Sequence, residues 1–103
     1  MGEERTGELE EFLKKVRIRF SLGVVILFGS RSRGEYLKQS DYDLIIVSKK
    51  FEGVHFLERI YQLLELWDCD ADVDLLPYTP EEFEEKKGQI GIVKQAVEEG
   101  IEV

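Results

Sequence analysis

Apolar side chains recur along this chain with two periods, and each change of period marks an element. Over residues 8–20, Leu9, Phe12, Leu13, Val16 and Phe20 fall at i, i+3, i+4, i+7 and i+11. That spacing predicts an amphipathic helix. Val24 to Phe28 is a short, wholly apolar run rich in β-branched residues, which predicts a strand covered on both faces. Gly29 stops it, and residues 30–38 predict a brief helix with Ser30 as its N-cap. Asp41 to Ser48 predicts a second strand. After Gly53 a strong helix is predicted over about 54–68, with Leu57, Ile60, Tyr61, Leu64 and Trp67 marking one face. Phe56 and Leu63 widen that stripe, so the helix is expected to be well buried. Ala71 to Leu76 predicts a third strand. Thr79-Pro80-Glu81-Glu82 then opens a helix: Thr79 suits the N-cap, Pro80 the first helical position, and Glu82 completes a capping box. Gly88 and Gly91 interrupt it, and a last helix, roughly 89–99, ends at Gly100.

Helices alternating with strands predict an α/β layer architecture. If the ends of strands one and two serve one site, those strands run antiparallel. The long helix between strands two and three makes that pair a right-handed parallel crossover. The expected sheet is therefore mixed, with three strands or slightly more, and flanked by helices. A length of 103 residues suits one small domain, residues 1–103.

Charge narrows the function. Fourteen Lys and Arg against 22 Asp and Glu leave a net charge of −8, which disfavours general binding of a phosphate backbone. No stretch approaches the roughly 20 apolar residues of a membrane helix, and no signal peptide is visible. The single Cys69 excludes an intramolecular disulfide and fits a reducing, cytoplasmic setting. A chain without Asn and 35% charged leans towards thermophile composition.

Candidate chemistry concentrates between the first two strands. Gly29-Ser30 is followed by ten residues and then Asp41-Tyr42-Asp43. Gly29 allows close backbone approach to a phosphate, and Ser30 offers its hydroxyl and N–H at a helix N-terminus. Asp41 and Asp43 are two apart on a strand, so both carboxylates point one way. Clustered carboxylates repel unless a cation lies between them, and Mg²⁺ prefers oxygen ligands and arrives with substrate phosphates. A third ligand is expected from strand three. Asp74 is preferred for its apolar setting, Val73-Asp74-Leu75-Leu76, with Asp72 as the alternative. Arg31 and Arg33 are candidates to neutralise phosphate charge. His55, the only histidine, reads as structural or exposed, and Tyr61 and Trp67 read as packing.

With those residues in hand, the chain resembles the DNA polymerase beta-like nucleotidyltransferase superfamily, in its minimal nucleotidyltransferase branch. The resemblance rests on Leu27 to Gly34, Ser40 to Leu44 and Val73 to Phe83. It implies a compact, three-layer-type mixed-sheet domain. It implies two Mg²⁺ ions held by Asp41, Asp43 and Asp74, and a triphosphate held by Gly29 and Ser30. Members transfer a nucleoside monophosphate to a hydroxyl and release pyrophosphate. Many minimal members pair with a small all-helical protein of the HEPN type, resemble antitoxins there, and some adenylylate a tyrosine of that partner. The reading is thus a Mg²⁺-dependent nucleotidyltransferase using ATP. The alternatives are a non-catalytic module that neutralises its partner by binding, or a small-molecule nucleotidyltransferase. Larger members carry a further domain for the acceptor, so a partner or a homodimer is expected to supply that site here. Ile90, Val93, Val97 and Ile101 are candidates for such a surface, unless their helix packs on its own sheet.

Overall fold

In the computed structural model of the chain, residues 2–28, 42–68 and 72–103 are described. Helix α1 (Gly2–Arg19) leads into strand β1 (Leu22–Phe28). Strand β2 (Tyr42–Ser48), a single 3₁₀ turn at Lys49–Phe51 and helix α2 (Phe56–Leu64) follow. Strand β3 (Val73–Tyr78), helices α3 (Pro80–Lys87) and α4 (Ile92–Glu99) and strand β4 (Ile101–Glu102) complete the order. The predicted helix over 30–38 lies outside the described residues.

The four strands form one sheet in the order β3-β2-β1-β4. β1 and β2 are antiparallel, with Phe28 opposite Asp43, and β2 and β3 are parallel, with Asp43 beside Asp74. Both directions are those the sequence predicts. β2 is central and buried along its whole length, which its run of Leu44, Ile45, Ile46 and Val47 demands. Pro77, which lacks a ladder donor, falls in β3 at the sheet's edge, where that donor is not needed.

The sheet separates two apolar layers. On one face Tyr42, Leu44 and Ile46 of β2 pack with Leu9, Phe12, Leu13, Val16 and Phe20 of α1 and with Leu63 of α2. On the other, Ile45 and Val47 pack with Phe83 of α3 and with Val93 and Ala96 of α4. The alternation along β2 is the two-residue period of a strand. Each of these large side chains contributes about 1.5–3 kcal/mol by leaving water.

Three local expectations hold in detail. The capping box at Thr79 is complete, with Glu82 N–H donating to the Thr79 hydroxyl at 3.2 Å and Thr79 N–H to Glu82 Oε1 at 3.0 Å. α3 stops before Gly88, and α4 stops at Gly100. A Cβ on Gly100 would lie 2.5 Å from the Ala96 carbonyl oxygen and 2.7 Å from Ile26, so only glycine lets the chain turn there against β1.

One strand goes unforeseen, one expectation is corrected, and the choice left open for the last helix is decided. β4 goes unpredicted because two residues carry no readable period; its pairing, Leu27 with Ile101 and Ile26 with Glu102, is a tertiary contact. α2 is not well buried, since Leu57, Tyr61 and Leu64 face solvent and the covered stripe runs through Arg59 and Leu63. The last helix packs on its own sheet through Val93 and Ala96, while Ile90, Val97 and Ile101 remain exposed.

Candidate active site

Asp43 is the second residue of β2 and only 1% exposed. A carboxylate so deep is costly unless hydrogen-bonded, paired or metal-bound. Its neighbours across the ladder are Phe28 on one side and Asp74 on the other. Residues in register on adjacent parallel strands point to the same face, so the two carboxylates share the face of α3 and α4, on strands about 4.8 Å apart. Oδ1 of Asp43 is buried and accepts no hydrogen bond from the described residues, although the residue itself engages other groups.

Asp74 differs in environment from the sequence expectation. It stands exposed on the edge strand, so burial in an apolar setting is not what distinguishes it; its register with Asp43 is. Asp72 lies one residue before β3, and its carbonyl accepts a hydrogen bond from Tyr42 N–H at 3.1 Å. Asp41, Gly29, Ser30, Arg31 and Arg33 lie outside the described residues.

Oxygen-only donors on one face are the set that suits Mg²⁺. Asp43 and Asp74 fit such an ion as part of its shell. Among the described residues they are not joined by a third carboxylate, and no group of three or more potential ligands occurs there.

Behind the carboxylates, on the opposite face, lies an aromatic cluster. The Tyr42 ring meets Trp67 edge-on, with centroids 5.6 Å apart and planes at 72°. Trp67 in turn meets Phe12 of α1 at 4.9 Å and 81°. Trp67 is thus packing, as expected, whereas Tyr61 is 62% exposed. His55 caps α2, its Nδ1 accepting from Leu57 N–H at 3.2 Å, which fits the structural reading.

A buried polar centre that the sequence analysis missed sits at the far end of β3. Arg59 donates to the Val54 carbonyl at 2.8 Å, to the Pro77 carbonyl at 3.1 Å and to both carboxylate oxygens of Glu82, the closer at 2.7 Å. Its guanidinium carbon also lies 5.7 Å from the Phe51 ring centroid. The signal was present: Arg59 stands three residues after Phe56 and four before Leu63, on the covered stripe. The Arg59 hydrogen bond, helped by the Thr79 cap, holds the Glu82 carboxyl below its ordinary range against partial desolvation. Burial raises the Tyr78 hydroxyl, and nearby Glu82 adds to that. Separated from Asp74 along β3, this centre ties α2 to α3 rather than contributing to the carboxylate site.

Residues 9–103 match the nucleotidyltransferase domain family. A relative from Methanocaldococcus jannaschii, named "Putative protein adenylyltransferase", is 30% identical over 71 residues, spanning 67% of this chain and 72% of its own. A crystal structure titled a "putative nucleotidyltransferase" from Sulfolobus solfataricus superposes with a TM-score of 0.58 at 29% identity, covering 77% of this chain and 70% of that one.

Proposed function

Because the chain belongs to the nucleotidyltransferase domain family, we propose that it transfers AMP from ATP to a hydroxyl group on a partner protein, with Mg²⁺ bound at its carboxylates. The observation that carries this reading is the in-register pair Asp43 and Asp74 at one end of β2 and β3. The name of the Methanocaldococcus relative supports a protein acceptor.

In this reading Asp41, Asp43 and Asp74 hold the metal ions, and Gly29 and Ser30 hold the triphosphate. Arg31 and Arg33 balance its charge. Bound Mg²⁺ supplies charge neutralisation at the phosphates and makes the acceptor hydroxyl more acidic. The acceptor oxygen bonds to the α-phosphorus, the bond to pyrophosphate breaks, and the hydroxyl proton leaves to solvent. The burial of Asp43 keeps its carboxylate in one orientation. We assign the acceptor to a small all-helical protein of the HEPN type, with this chain as its antitoxin.

Intact-mass spectrometry of the chain with its co-purifying partner tests the reading. MgATP should add one or more AMP units to the partner, and EDTA should abolish the gain. Asp43→Asn should lose transfer by at least about a hundredfold, as loss of a metal ligand predicts, while circular dichroism stays native. Transfer that survives Asp43→Asn would sink the site assignment. A second reading, neutralisation by binding alone, draws on the exposed Leu57, Tyr61 and Leu64 of α2. It predicts a stable complex with no mass gain.

A further inference from the structure

Tyr42 lies between the two aspartates of the sequence motif, and its side chain points to the face opposite Asp43, into the layer under α1. Two contacts hold it there. Its ring abuts Trp67 edge-on at 5.6 Å, and its N–H donates to the Asp72 carbonyl at 3.1 Å. Both contacts come from the stretch that leaves α2 and enters β3, the strand that carries Asp74. Trp67 is itself anchored twice. Its N–H donates to the Leu64 carbonyl at 3.1 Å, and its ring stands edge-on to Phe12, which is 2% exposed.

From this arrangement we infer that Trp67 is a positioning residue for the carboxylate pair. It sits on the opposite face of the sheet from both and acts through Tyr42. The inference rests on the reading of Asp43 and Asp74 as metal-binding. The next residue after Tyr42 is Asp43, so the angle at which β2 begins sets where that carboxylate stands relative to Asp74. Removing the indole leaves a void behind the Tyr42 ring, and packed interiors answer such voids by partial collapse. Mg²⁺ tolerates little of this, because it demands near-ideal octahedral geometry. Groups hydrogen-bonded to metal ligands typically change metal affinity by about 10–100-fold when replaced, and a residue that acts one contact further back is expected at the lower end of that range.

Trp67 is the only tryptophan of the chain, so emission reports on the surroundings of this one indole, the Tyr42 ring among them. The wild-type chain is titrated with Mg²⁺ in the presence of α,β-methylene-ATP, which cannot release pyrophosphate. Binding is followed by calorimetry and by tryptophan emission. Emission should change saturably, with the same half-saturation as the heat. Trp67→Leu, checked for native circular dichroism, should need about tenfold more Mg²⁺ to bind the nucleotide. Trp67→Phe, which keeps an aromatic edge for Tyr42, should restore most of that loss. A merely structural Trp67 would lower the melting temperature and leave the Mg²⁺ requirement unchanged. That result, together with calorimetric binding and flat emission in the wild type, would overturn the inference alone. Absence of calorimetric binding in the wild type would overturn the site reading and this inference with it.

Discussion

A guanidinium as deep as that of Arg59 is costly to bury unless its donors find partners, and here two carbonyls and one carboxylate accept from it. Arg59→Met fills similar volume but leaves those acceptors without their charged donor. It should cost about 1–3 kcal/mol in urea denaturation at pH 7. Acid supplies a second readout. The folded Glu82 carboxyl titrates below its unfolded value, chiefly through the Arg59 hydrogen bond. Its contribution is therefore complete above the ordinary carboxylate range and fades as pH falls through the depressed folded value. Between about pH 5 and pH 3, wild type should lose more stability than Arg59→Met. Equal slopes would show that this pair is not what the carboxyl senses. Residue identity announced this centre poorly, because an arginine among apolar neighbours reads as solvated until its partners are known. Glu82, by contrast, was legible as half of a capping box, since that motif is local.

Helix α2 shows how an element can be recognised while its orientation is not. Apolar residues lie almost all round it, so periodicity predicts the helix but cannot choose between two stripes. The covered stripe runs through Phe56, Arg59 and Leu63, and Leu57, Tyr61 and Leu64 are left outside. Two substitutions separate these faces. Leu63→Ala should cost about 2–5 kcal/mol, as a cavity in a full core does. Tyr61→Ser should stay within about 0.5 kcal/mol. Thermal or chemical denaturation of both variants checks the assignment, and a reversed order would contradict it. The termini of α3 and the end of α4 were legible because caps and glycines act on their own neighbours. β4 was not, since two residues become a strand only when Leu27 and Ile26 present a ladder to them.

At the scale of the whole molecule, three layers and a mixed sheet place two carboxylates at one end of adjacent strands. Arg59 and Glu82 lock a different region, where β3 ends and α3 begins. The net charge of −8 acts across the whole surface and opposes the general binding of polyanions. In an electrophoretic mobility assay at low salt, where phosphate-backbone binding is strongest, the chain should fail to shift duplex DNA. A shift there would show a basic face that the overall charge conceals. Among the described residues no helix is long and apolar enough to cross a membrane.

By itself the sequence determined the alternation of elements, the directions of the first three strands, the caps of α3 and the end of α4. It also brought forward the motif that places the chain among the nucleotidyltransferases. Each of these depends on residues close in sequence, or on a period that survives without knowledge of its neighbours. Tertiary structure decided which side of α2 is covered, that Arg59 is buried, and that β4 closes the sheet. It also decided that Asp74 stands beside Asp43 through strand register rather than through burial of its own. These outcomes depend on which surfaces meet, and contact between distant segments leaves no period in either of them.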